Sequence, residues 1–138
     1  METVHIFIST GRFKSFEEMR AFVDETYPED GDGVPSEFIR EVGLTEYEPG
    51  SIECEHRDSP IPLSEFLVRA LYSNQWMPQL DRSQLAQTAD ALICVFEPIK
   101  VARPHQCSIE HLGGFEFQVI YDEWFLKLTH GNFDQSQT

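Results

Sequence analysis

Apolar residues arrive in short bursts along this chain, and the spacing inside each burst predicts an element. Val4-His5-Ile6-Phe7-Ile8 carries β-branched and aromatic side chains on both faces and stops at Ser9-Thr10-Gly11. That pattern predicts a central strand. Ser15-Phe16-Glu17-Glu18 then reads as a capping box, with the Ser hydroxyl on the third helical amide and a Glu reaching back. Phe16, Met19, Phe22 and Val23 recur at helical spacing and give that helix one apolar face, until Pro28 stops it. Glu29-Asp30-Gly31-Asp32-Gly33 reads as a solvated turn. Pro35-Ser36 opens a second short helix with Phe38, Ile39 and Val42 inward, and Gly43 stands where a left-handed C-terminal cap is expected.

Residues 45–62 are polar and broken by Pro49-Gly50, Pro60 and Pro62, with a short strand expected over 51–56. Residues 63–72 predict a third helix, with Phe66, Leu67, Ala70 and Leu71 inward. A break over 74–78 contains Trp76, and 82–89 predicts a fourth short helix. Ala91-Leu92-Ile93-Cys94-Val95-Phe96 is the longest apolar run and the clearest strand. Pro98 and Pro104 bracket a loop, and 115–121 alternates as a last strand after Gly113-Gly114. Apolar content thins to Phe133 alone after His130, so residues 1–130 read as one domain and 131–138 as a frayed tail. Strands and helices in this order predict an α+β fold: a small, mostly antiparallel sheet with helices packed on one face.

Charge changes the picture more than composition does. The chain of 138 residues carries a formal charge of −14, from 24 Asp+Glu against 10 Lys+Arg. Residues 15–58 alone hold fourteen acids, opposed by Arg20, Arg40 and Arg57. A field this uneven attracts cationic partners and repels nucleic acid and anionic membrane. Charge alone leaves two readings open, a surface for a basic partner and an acidity that serves solubility. Hydrophobic residues at 41% suffice for a core. No apolar run approaches the roughly 18 residues needed to span a bilayer. The acidic start Met1-Glu2-Thr3-Val4-His5 lacks a signal-peptide pattern. Cys54, Cys94 and Cys107 have no framework spacing. A cytoplasmic location with reduced thiols is the expectation.

Motifs for chemistry are sparse. Neither a G-x-G-x-x-G nor a Gly-Lys-Ser/Thr phosphate loop is present, and no register of Asp30 and Asp32 satisfies an EF-hand. Cys54-x-His56 and His105-x-Cys107 are mirrored pairs whose i, i+2 spacing places each pair on one strand face, so zinc is one reading and unrelated half-buried side chains the other. His111 before Leu112-Gly113-Gly114 is only loosely similar to an oxyanion-hole run, and no G-x-S-x-G elbow accompanies it. No catalytic residue and no cofactor are indicated. Arg12, Lys14, Arg69, Arg82, Lys100, Arg103 and Lys127 are scattered, which disfavours direct nucleic-acid binding. Tyr47, Trp76, Met77 and Trp124 are candidate binding anchors, with core packing as the alternative for each Trp.

Gly11-Arg12-Phe13-Lys14-Ser15-Phe16-Glu17-Glu18, then Glu25-Thr26-Tyr27-Pro28-Glu29-Asp30-Gly31, then Pro35-Ser36-Glu37-Phe38-Ile39-Arg40-Glu41-Val42-Gly43-Leu44 resemble the bacterial immunity protein 22 family. That family enters its first helix through G-x-F-x-S and ends its second at Gly. Its Y-D-x-D-F-x-E run corresponds here to Tyr47-Glu48-Pro49-Gly50-Ser51-Ile52-Glu53, with two departures, at Gly50 and Ser51, beyond the conservative Glu48. The 91–96 strand and Leu112-Gly113-Gly114-Phe115-Glu116-Phe117 look like its second half. The resemblance implies an antitoxin of polymorphic toxin systems used in bacterial competition, one that binds a cognate toxin domain and needs no catalysis of its own. Combined with the charge, it makes Glu29, Asp30, Asp32, Glu37, Glu41, Glu46, Tyr47, Glu48, Glu53 and Trp76 the expected partner-binding residues, facing a basic toxin. The alternatives are a small metal-binding protein or enzyme using Cys54, His56, His105 and Cys107, and an acidic adaptor.

Overall fold

The computed structural model describes residues 1–120. The expected tail over 131–138, Trp124 and Tyr121 lie outside the described residues, and the strand expected over 115–121 ends at Phe117. Four antiparallel strands form the main sheet in the order β3-β4-β1-β6, where β1 is Glu2–Ser9, β3 Ile52–Pro62, β4 Thr88–Phe96 and β6 Glu110–Phe117. β2 (Leu44–Thr45) and β5 (Lys100–Val101) make a separate two-stranded pair that the sequence pattern did not announce.

The α+β class and the antiparallel sheet are as expected, but both faces of the sheet are covered rather than one. On one face Val4, Ile6, Ile8, Leu92, Cys94 and Phe96 pack with Leu63, Phe66, Leu67 and Trp76. On the other Phe7, Ala91, Ile93 and Val95 pack with Met19, Phe22, Val23, Phe38 and Ile39. The reason lies in the two central strands. β4 is buried at every position after Thr88, and a strand apolar on both sides needs cover on both sides.

Local chemistry explains the first two helices. Ser15 caps α1 (Phe16–Val23), accepting from the Glu18 N–H at 3.0 Å, and the Glu18 carboxylate reaches back to the Lys14 N–H. Ser36 caps α2 (Glu37–Val42), which ends at Gly43 in the left-handed region with φ 66°. Phe16 opens the apolar face of α1 in sequence but is 44% exposed.

The second helical half is more broken than its periodicity predicts. α3 spans Leu63–Phe66, α4 Ser73–Trp76 and α5 Arg82–Leu85, with 3-10 turns at Leu67–Arg69 and Met77–Gln79. Tyr72 takes φ 59° and breaks the run, leaving Leu71, expected inward, 54% exposed. β6 begins at Glu110, earlier than its alternation suggests, because pairing with β1 runs through Gly114 opposite His5 and Gly113 opposite Ile6, with Leu112 as the extra residue of a bulge before His111 meets Phe7. A Cβ on Gly114 would stand 2.9 Å from the His5 ring, so the close approach of the two strands requires glycine there.

Candidate functional site

The acidic segment is built as a fastened loop. Thr26 and Val34 exchange two backbone hydrogen bonds, 3.0 and 2.7 Å, closing residues 27–33 like a hairpin. Gly31 at φ 118° supplies the left-handed turn at its tip. Both ends are anchored by Ser36, which is buried: its hydroxyl donates to the Val23 carbonyl at 2.8 Å and accepts from the Ile39 N–H at 3.1 Å. Glu29, Asp30 and Asp32 are all exposed on this loop.

Two tyrosines stand at its base. Tyr27 is 69% exposed and its hydroxyl donates to Glu25 Oε1 at 2.6 Å. That hydrogen bond holds its phenol above the ordinary value, and the proximity of Tyr47 and Glu48 adds to it. Tyr47 is half-buried against the second core with its hydroxyl 3.5 Å from Asp24 Oδ1, and burial pushes its phenol up. Arg20 grips Asp24 through Nε at 2.9 Å and a terminal nitrogen at 2.6 Å, so the nearest base is already committed to an acid. Glu46, exposed with φ 59°, precedes Tyr47, and Glu48 follows it, accepting from the Gly50 N–H at 3.0 Å. The result is a face of carboxylates around two phenols.

The expected partner-binding residues sit on several elements. Glu29, Asp30, Asp32, Glu46, Tyr47 and Glu48 belong to the loop and the turns beside it. Glu37 sits on α2 in an ion pair with Arg12 at 3.3 Å. Glu41 accepts from the Ser108 N–H at 2.7 Å. Burial would push the Glu41 carboxyl up, but the Ser108 N–H and neighbouring donors outweigh it and hold the group low. Glu53 lies on the opposite sheet face, accepts from the Leu71 N–H at 3.1 Å, and is pushed up by burial.

Trp76 is a correction: it is 0% exposed, stacked on Phe115 at 6.2 Å, with its indole N–H donating to the Leu71 carbonyl at 3.0 Å. A covered ring whose polar atom is already bonded belongs to the core and not to a contact surface. Sequence reasoning passed over Glu25 and Tyr27, although an aromatic beside Pro28 at the entrance to an acidic turn was a readable signal.

Cys54, His56, His105 and Cys107 do not converge. Among the described residues no three His, Cys, Asp or Glu side chains come together as metal ligands. Cys54 packs against the core beneath α1, and burial raises its thiol to about 11. The His56 ring nitrogen lies 2.9 Å from the Phe13 carbonyl. Burial likewise raises Cys107 to about 11, so both thiols are protonated at neutral pH and poor as ligands or nucleophiles. His105 meets His111 edge-on at 5.4 Å, and His111 Nε2 lies 3.1 Å from His5 Nδ1. Burial, then the two neighbouring imidazoles, lowers His111 to about 4. No helix among the described residues is long and apolar enough to cross a membrane.

Fold and surface together define a small α+β domain whose most developed exposed feature is an acidic, tyrosine-bearing face, the kind of surface a protein-binding module presents. The chain belongs to the family described as Immunity protein 22, whose family model matches residues 4–118. Membership carries a toxin-neutralising immunity role, exercised by binding a cognate toxin protein. No curated protein and no solved structure matches the chain.

Proposed function

We propose that this protein neutralises its toxin by forming a one-to-one complex through the acidic face around residues 24–34 and 46–48, without catalysis of its own. The observation that carries this reading is the fastened loop itself. Its three carboxylates are exposed, the loop is closed at both ends, and Tyr27 and Tyr47 stand beside it as aromatic contacts. An ordered acidic loop meets a basic surface at a lower entropic cost than a disordered one. Tyrosine supplies large contact area with few rotatable bonds. The partner surface that complements it is basic, and a nuclease toxin with a phosphate-binding cleft is the chemistry that fits best, the carboxylates standing where phosphates otherwise bind. Direct nucleic-acid and membrane binding run against the same charge. The protein acts in the cytoplasm, where its three cysteines stay reduced.

The test is co-purification with the toxin domain encoded beside it, at low and at moderate salt. The expected result is a one-to-one complex whose association slows as salt rises. Replacing Glu29, Asp30 and Asp32 together by Lys should slow association roughly ten-fold at low salt and flatten its salt dependence. A complex whose association rate ignores both salt and those reversals would sink the electrostatic part of the reading, and no complex at either salt would sink the whole.

A further inference from the structure

β3 is an outside strand of the main sheet, paired with β4 on its inner side only. The pairing runs without interruption from Ile52 opposite Val95 to His56 opposite Ala91. Among the described residues, the Ile52 N–H is taken by the Pro49 carbonyl, and no backbone group outside β4 hydrogen-bonds to 53–56. Alternate N–H and C=O groups of this stretch therefore point outward, which is the template on which another strand builds.

The rest of the strand is guarded. After His56 the register slips, so that Arg57, Asp58, Ser59 and Pro60 stand against the single residue Asp90 before pairing resumes at Ile61. A bulge and two prolines are the devices by which natural sheets close an edge to strand addition. Here they protect residues 57–62 and leave 52–56 open.

The flanks of the open stretch have a definite chemistry. Ile52 and Cys54 turn toward the α1 side. Glu53 and Glu55 project on the other side, where the Glu53 carboxylate holds the Leu71 N–H. Leu71 is 54% exposed there, and Val68, one turn earlier, is 59% exposed. Open backbone, two carboxylates and the bare aliphatic side chain of Leu71 thus lie along one edge. A strand suited to it presents, on this one side, basic side chains opposite Glu53 and Glu55 and an apolar one over Leu71.

We propose that an extended, basic and apolar segment of the toxin adds to β3 along Ile52–His56 as a fifth strand of the main sheet. This rests on the toxin-binding reading above and adds to it a second contact, backbone to backbone, on a different part of the surface from the acidic loop. Strand addition supplies hydrogen bonds that do not depend on side-chain identity, while the flanking carboxylates select the charge of the incoming segment.

The experiment is amide hydrogen exchange on the whole chain, free and in complex with the toxin domain encoded beside it. The outward amides among residues 53–56 are expected to exchange at least roughly 100-fold more slowly in the complex. Glu55→Lys, at a side chain 30% exposed whose ion pair with Arg57 is a long 3.6 Å, is expected to weaken the complex about ten-fold while leaving the thermal midpoint of the free protein nearly unchanged. A complex that forms while those amides exchange as in the free chain overturns the strand addition and leaves the toxin-binding reading standing. No complex at all overturns that reading, and the strand addition with it.

Discussion

Ser15 and Ser36 occupy the same position at the start of successive helices, yet their removal should differ in cost. Each hydroxyl accepts one hydrogen bond from a first-turn amide, from Glu18 at 3.0 Å and from Ile39 at 3.1 Å. Losing such a cap costs about 1 kcal/mol. Ser36 does more: it is 8% exposed and donates to the Val23 carbonyl at 2.8 Å. In Ser36→Ala that carbonyl, at the end of α1, loses its partner in a site water barely reaches. An unsatisfied buried acceptor costs about 1–3 kcal/mol more. Ser36→Ala should therefore lose about 2–4 kcal/mol, and Ser15→Ala about 0.5–1 kcal/mol. The assay is urea unfolding of both variants beside the parent, with equal m-values so that the midpoint shift reports stability. Because Ser36 ties the acidic loop to the end of α1, its loss should also speed amide exchange at Thr26 and Val34, through a local opening of lower free energy than global unfolding. Equal midpoint shifts for the two serines would refute the second bond as an energetic contributor, and unchanged exchange at Thr26 and Val34 would refute the fastening of the loop.

Trp76→Ala should destabilise by about 3–5 kcal/mol, because a fully buried ring and its bond to the Leu71 carbonyl are lost together, and thermal unfolding reads it directly. A Trp76→Ala variant as stable as the parent would return the ring to the surface. Gly43→Ala should cost about 1–2 kcal/mol in the same melts, since φ 66° strains an alanine and its Cβ would stand 2.8 Å from the Arg103 guanidinium. Stability should fall as pH drops from about 6.5 toward 4. His111, lowered to about 4 when folded, is uncharged there while the unfolded chain takes up the proton, and His5, lowered by burial, acts in the same direction. Urea midpoints at pH 7 and pH 5 measure it, and His111→Gln should reduce the difference; an undiminished difference would assign the pH dependence elsewhere.

What the sequence determined by itself was whatever a residue settles with neighbours a few positions away. The Ser15 and Ser36 caps, the Gly43 stop and the acidic turn at 29–33 were legible because donor, acceptor and backbone angle all lie within one turn of chain. The 91–96 strand was legible because a continuous apolar run of that length fits a doubly covered strand. Family membership was legible in the short motifs around Gly11–Glu18 and Ser36–Gly43, and those are the elements that position the acidic loop.

Only the tertiary structure decided what depends on distant partners. Trp76 looked like a loop aromatic until Phe115 and the Leu71 carbonyl closed around it. Gly113-Gly114 looked like a turn before β6, and pairing with β1 places both inside the strand, beside a bulge at Leu112. The four Cys and His residues shared a spacing but each found a separate neighbour. The acids shared a segment, yet α1, α2 and the sheet separate Glu37, Glu41 and Glu53 from the loop while drawing Tyr47 to Asp24 across 23 positions. Charge and local conformation belong to the chain, but which charges share a face depends on how the sheet orders its strands.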